Sequence, residues 1–417
     1  LLSAAPALGA DIGLTVLSNR ADLVSGEDAL VQVTPPAGTN ASDLTLDVDG
    51  RDVTSAFTAQ QGGGLVGLVD GLHLGANILT ARAPDGSTSR LTITDNPIGG
   101  PIISGEQTQP WLCTTDANGL AKATDAQCDA PSKVEFFYKS TDPSKSGLQS
   151  YDPSNPPSDV ATTTTDQGKT VPYIVRRERG TLDRGIYDIA VLFDPKKPWT
   201  ATAPQPQWNH KLYYVFGPSC STTHSQNSPD DVLLDLALSR GFMVANSSLN
   251  VLGNSCSTLV SAETAMMVKE HIVDRYGTIR YTMGTGCSGG SIGQNVVANA
   301  YPGLVDGIQP ACTFADNWTT GIEVDDCHML LHYWQTTMMA WAPNQQNAVD
   351  GHRDISDCEA WDATFASVSN PRDGCGLPSD QMYDPQNNPK GCRGTLQDFM
   401  IGALGRRPQS EWTAPEK

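Results

Sequence analysis

No run of apolar residues in this sequence approaches the ~20 that a membrane-spanning helix needs, so no helical membrane span is expected. No two cysteines stand in a C-x-x-C pair, which removes the support for a zinc ribbon or a thioredoxin-type redox site. Positive charge is scarce: 27 Lys and Arg face 46 Asp and Glu, a net charge of -19 over 417 residues. So acidic a surface argues against the phosphate backbone of a nucleic acid as partner. The sequence has a Gly-rich loop ahead of a helix, but Gly-Lys-Ser/Thr is missing from it and no acidic ribose partner can be placed. A phosphate-cradling or dinucleotide site is therefore poorly supported, and no cofactor is expected.

Ten cysteines are present, at 113, 128, 220, 256, 287, 312, 327, 358, 375 and 392. An even number on scattered loop positions points to disulfides and an oxidising compartment. Cys113 with Cys128, and Cys375 with Cys392, bracket polar turn-rich loops and are the expected local pairs. The sequence starts at Leu1 without methionine, as after removal of a signal peptide, so the expected location is extracellular or periplasmic. Asn40, Asn246 and Asn317 head glycosylation sequons.

Residues 11 to 96 alternate apolar and polar positions, with turns at Asp49-Gly50, Asp70-Gly71 and Asp85-Gly86. This rhythm predicts an Ig-like β-sandwich over 1–97. Residues 101 to 170 are polar and poor in pattern. From 171 onward strands alternate with helices: "IYDIAVLFDP", "KLYYVFG", the helix "SPDDVLLDLALSRG", "FMVANSSLN", the helix "STLVSAETAMMVKEHIVDRYG", "IRYTMGTG", the helix "GSIGQNVVANAYPG" and "VDGIQPACTF". The alternation predicts an α/β core over 98–314 built on a doubly wound, mostly parallel sheet. Residues 315–417 read as helix and loop with four cysteines, the pattern of a disulfide-stapled lid.

"TMGTGCSGGSIGQ", residues 282 to 294, holds two overlapping copies of G-x-S-x-G, around Ser288 and Ser291. The motif falls between a strand and a helix, where a nucleophilic serine needs small neighbours and a helix N-terminus facing the oxyanion. Ser288 falls at the turn, between Gly286 and Gly290; Ser291 falls inside the first helical turn. Ser288 is the expected nucleophile. A second oxyanion donor is expected from the loop "YYVFGPSCSTTHSQ"; Pro218 has no N–H, which leaves Ser219 or Cys220. Without chemistry, the same residues read as a Gly-rich strand–helix turn and an ordinary loop.

"GCSGG" resembles the elbow of the tannase and feruloyl esterase group, Gly-Cys-Ser-x-Gly-Gly. The stretch from "LALSRGFMVANSSLN" through "GTGCSGGS" to "YPGLVDGIQPAC" is more similar still to a secreted bacterial α/β-hydrolase family known only as a domain of unknown function. The resemblance implies an α/β-hydrolase fold and an ester-type reaction. It implies Ser288 as nucleophile, Gly289 as an oxyanion N–H and Cys287 as a tether, bonded to a cysteine beside the catalytic histidine. The acid and the histidine do not carry over. His328 and His332 lie at i, i+4 in "CHMLLH", and His352 follows; this reads as an amphipathic helix, and no metal site is expected. No convincing strand pair follows Phe314, so a second polypeptide is the expected source of Asp and His; a histidine of this chain, His328, His332 or His352, is the alternative. Trp318 and Trp334 are candidate contacts for aromatic or polymeric acyl groups. The expected function is a secreted serine esterase acting through an acyl-enzyme. An acyltransferase and a non-catalytic surface or carbohydrate-binding protein on a degenerate hydrolase fold stand as alternatives.

Overall fold

The computed structural model describes residues 11–221, 223–313, 317–365, 378–384, 386–388 and 391; the expected pair Cys375–Cys392 lies outside them. Residues 13 to 96 form two sheets. Gly13–Val16, Asp28–Thr34, Leu65–Asp70 and Phe57–Ala59 make one; Val24–Ser25, Thr88–Asn96, Gly75–Arg82, Thr45–Val48 and Arg51–Asp52 make the other. Alternate side chains of both, among them Val31, Val33, Val69, Leu46, Leu79 and Ile93, meet in one apolar core, because successive strand residues point to opposite faces.

A further, eight-stranded sheet holds the candidate site. Its strands are β1 (Lys133–Lys139), β2 (Leu148–Ser150), β3 (Ile174–Leu182), β4 (Gly185–Leu192), β5 (Lys211–Val215), β6 (Met243–Ser247), β7 (Tyr281–Cys287) and β8 (Gly307–Ala311). Their spatial order is β2-β1-β3-β4-β6-β5-β7-β8. This corrects the expectation of an α/β-hydrolase fold on a doubly wound, mostly parallel sheet. Only β5·β6, β5·β7 and β7·β8 pair in parallel. The pairings β1·β2, β1·β3, β3·β4 and β4·β6 are antiparallel. The sheet is mixed, and the described residues are rich in antiparallel strands and hold six α-helices. The local cause is visible at the β3–β4 turn. Asp183 and Arg184 take φ of 52° and 59°, the geometry of a two-residue hairpin, which leaves no chain for a crossover.

Two helices position the site. Helix α2, Thr258–Tyr276, starts where Ser257 Oγ accepts the Val260 N–H and stops at Gly277 with φ 109°. Its Ala262, Ala265, Val268 and Ile272 pack on Leu212, Tyr214, Met243 and Ala245 of the sheet. Three carboxylates on the same helix clasp the segments before the sheet. Glu263 accepts the backbone N–H groups of Ile102, Ile103 and Ser104. Glu270 accepts the Ser25 N–H at 2.6 Å, and Asp274 the Leu30 N–H at 2.7 Å. Burial holds the carboxyls of Glu270 and Asp274 above the ordinary range. Helix α3, Gly289–Ala300, follows β7 after the single residue Ser288.

The expected helix over "SPDDVLLDLALSRG" shrinks to Asp235–Leu238. The Asp230 N–H, which would open it, is taken by the Asn246 side chain at 2.6 Å. Helices Asn317–Thr336 and Ser356–Phe365 enclose a small core of their own around Cys327, Leu331 and Cys358, and the helix Pro343–Asp350 lies between them in sequence.

Candidate active site

Ser288 caps helix α3 with φ 59° and ψ -117°, a conformation that costs a non-glycine residue of order 1–3 kcal/mol and persists only where surroundings impose it. Its side chain does not cap the helix, and among the described residues its hydroxyl has no hydrogen-bond partner. The residue is half-buried. Ser291, the rival in the overlapping motif, is fully buried, and its backbone oxygen accepts from the Asn295 side chain.

The glycines around Ser288 are there because backbone passes where side chains would be. A Cβ on Gly286 or Gly290 would overlap the carbonyl oxygen of Phe216, and one on Gly289 would overlap that of Ser219. The segment after β5 is thus pressed along the elbow from 216 to 219. Phe216 N–H joins it to Thr285 O at 2.8 Å. Ser219 sits next to Gly289 with φ 67°. The N–H groups of Ser219, Cys220, Gly289 and Gly290 have no acceptor among the described residues. Four unspent donors lie near a free serine hydroxyl at the N-terminus of a helix three turns long, an end that carries partial positive charge.

Two disulfides fix this arrangement. Cys220 is bonded to Cys256, just ahead of helix α2, with Cα atoms 5.0 Å apart. Cys287, the residue before Ser288, is bonded to Cys312, with Cα atoms 5.1 Å apart. The second pairing corrects the tether that the family resemblance implied, to a cysteine beside a catalytic histidine. Cys287 and Ala311 are register partners at the ends of β7 and β8, so Cys312, the residue after β8, is within disulfide reach. The Ser288 N–H also donates to Ala311 O at 3.1 Å.

Sequence reasoning missed three asparagines spaced by four, Asn246, Asn250 and Asn254. Asn246 is fully buried and donates to Val215 O at 2.7 Å, so it is no glycosylation site. Asn250 accepts from Tyr214 Oη at 2.6 Å and donates to Ser261 O, while its own carbonyl takes the Gly217 N–H. Asn254 donates to Ser248 O and Ser228 O. Together they hold both flanks of the loop that carries Ser219 and Cys220. The signal was the i, i+4, i+8 repeat in "ANSSLNVLGN".

Among the described side chains, the other candidates make no contact with Ser288. Trp334 packs against Cys327, Leu331 and Cys358, 6.4 Å from the ring of Trp341. Trp318 lies in the first turn of the Asn317–Thr336 helix, and its side chain is outside the described residues. His328 Nδ1 lies 2.5 Å from Asp362 Oδ1, and His332 is exposed. Cys327, His352 and Cys358 hold their potential ligand atoms within 4.8 Å of one another. Cys327 and Cys358 are bonded to each other, however, so neither is a thiolate that could bind a metal. Cys113 and Cys128 are also bonded, making four disulfides among the described residues. Among the described residues no helix is long and apolar enough to cross a membrane.

No curated protein matches this sequence. A structure of oligopeptidase B from Leishmania major matches at 11% identity over 87% of this chain and 55% of that chain, with a TM-score of 0.21; a score that low does not establish a shared fold. A family model matches residues 14–416, and the chain belongs to that family, the tannase-like family of unknown function (DUF6351).

Proposed function

We propose that the protein is a serine hydrolase that cleaves carboxylic esters through an acyl-enzyme on Ser288. One observation carries the reading: a serine held at φ 59° with an unbonded hydroxyl, beside the unspent N–H groups of Gly289 and of Ser219 and Cys220. In the reaction the Ser288 Oγ attacks the ester carbonyl, and the carbonyl oxygen gains negative charge where those N–H groups point. The alcohol then leaves, and water releases the acid. The tannase-like family membership supports an ester as substrate class.

The attack needs a general base. The reading includes a histidine and its carboxylate from a second polypeptide, which intact mass and chain count of an active preparation would test. The four disulfides support an oxidising, extracellular or periplasmic location.

A fluorophosphonate probe and p-nitrophenyl esters test the chemistry. Covalent labelling should map to Ser288, and Ser288→Ala should abolish both labelling and hydrolysis while the fold is kept. Ser291→Ala should retain most of both. Absence of labelling in the wild-type protein would defeat the enzymatic reading and favour a binding role.

A further inference from the structure

Gln294 sits on the second turn of helix α3 and is fully buried. Its Nε2 donates to Gly286 O at 3.1 Å and to Gly290 O at 3.0 Å. Those two carbonyls stand two residues before and two residues after Ser288. Its Oε1 accepts the Gln309 N–H of β8 at 2.9 Å. Both N–H groups and the oxygen of one amide are thus spent on bridging the last residues of β7, the first turn of α3 and the neighbouring strand. A Cβ added at Gly284, on β7, would meet the Gln294 Cβ at the distance of ordinary contact.

We infer that Gln294 is a positioning residue, the brace that holds the turn at Ser288 in its left-handed conformation. The inference rests on the reading of Ser288 as nucleophile. The peptides between the two bridged carbonyls carry the Ser288 hydroxyl and the Gly289 N–H, the two groups that must meet the same substrate carbonyl from opposite sides. Gly286, Gly289 and Gly290 give this turn almost no side-chain packing of its own. A strained residue in such a segment relaxes unless the ends of the segment are fixed. The Cys287–Cys312 bond and the Ser288 N–H to Ala311 bond fix the strand side. Among the described residues Gln294 alone ties strand side to helix side across the serine by side-chain hydrogen bonds. Only a side chain with two donors and one acceptor fits these three partners, and the amide of glutamine has them in this geometry.

The roles of shape and hydrogen bonding separate in two variants. Gln294→Met keeps length and loses all three bonds. Gln294→Glu keeps the acceptor for Gln309 and, when protonated, one donor for a carbonyl; when ionised it repels both carbonyl oxygens. The experiment measures p-nitrophenyl acetate hydrolysis against pH, fluorophosphonate inactivation, thermal unfolding, and the crystal structure of the Met variant. For Gln294→Met the expected result is a kcat at least tenfold lower with KM within about twofold, and a Ser288 φ moved out of the left-handed region. Gln294→Glu should regain activity toward acid pH and lose it as pH rises, a limb that the wild-type profile lacks. Ser288 still at its original φ in the Met variant, or a Glu variant whose profile superimposes on wild type, overturns the brace. Wild-type protein that does not label at Ser288 defeats the esterase reading instead, and the crystal structure of the Met variant still decides the brace.

Discussion

The α-carbon of Gly289 lies so close to the backbone of Ser219 that a Cβ there would overlap the Ser219 carbonyl oxygen and stand 2.9 Å from its nitrogen. The contact joins the two backbone segments proposed to offer oxyanion donors. Gly289→Ala must therefore push the 216–220 loop away from Ser288. The expected outcome is a loss of ester hydrolysis of 100-fold or more, the range seen when one oxyanion donor is removed, with an overpacking cost of about 1–3 kcal/mol. Steady-state kinetics beside a thermal melt checks this. Near-normal kcat in a folded Gly289→Ala variant would show that the Ser219 side does not serve the reaction.

The disulfides give a second expectation. Eight described cysteines are paired, and Cys375 and Cys392 remain. Thiol titration in denaturant without reductant should find no more than two thiols per chain; three or more contradicts the pairing. The Cys220–Cys256 bond closes a 36-residue separation, worth about 4 kcal/mol in the chain-entropy model. Replacing both cysteines by serine should lower the melting temperature and, because Cys220 lies in the donor loop, lower kcat as well.

Asn250 supplies a third. It is fully buried and accepts the hydroxyl of Tyr214, itself buried, at 2.6 Å. Asn250→Leu leaves that hydroxyl without its partner, at about 1–3 kcal/mol, and removes the side-chain donor to Ser261 O, which keeps its bond within helix α2. Tyr214→Phe made in the Asn250→Leu background should recover part of the loss, since it removes the stranded donor. Chemical denaturation of the four proteins in a double-mutant cycle measures the coupling; strict additivity would mean that the pair does not interact.

What could be read in the sequence was local, and what could not was long-range. Ser257 before the apolar periodicity and Gly277 after it mark helix α2 to the residue. The glycines of "GTGCSGGS" mark the elbow, because each meets backbone that only a glycine admits. Strand β1 was hidden in a polar stretch. "KVEFFYK" gains its place from pairing with β3 some forty residues on, including the Arg177–Glu135 ion pair, and nothing near it announces that partner. The parallel sheet was over-read for a related reason. Alternating strands and helices after 205 do form parallel pairs, but the hairpin at Asp183-Arg184 turns the other half antiparallel. Cys287 was given the wrong partner because the choice depended on strand register, which sequence spacing does not fix.

Asp274 carries the last expectation, a pH dependence of stability. Burial, reinforced by the Asp28 carboxylate, pushes its carboxyl from the ordinary 3.8 up to about 8. It joins helix α2 to the Leu30 N–H of the amino-terminal sheets. Between the two values the folded chain keeps a proton that the unfolded chain releases. The stability from this group is therefore full below its ordinary value and is lost as pH rises toward 8, by up to about 1.4 kcal/mol per pH unit. Above pH 8 it changes no further. Asp274→Asn keeps an oxygen for the Leu30 N–H and does not titrate. Melting curves from pH 5 to 9 should show the wild-type protein losing stability faster than the variant up to about pH 8, then running parallel to it. The Asp274 carboxylate also helps to raise the carboxyl of Glu270, so the variant loses that contribution too, and the difference between the curves reports both with the same sign. Curves that stay parallel from pH 5 upward would mean that Asp274 is ionised in the fold, with the Leu30 N–H and Ser18 solvating its charge.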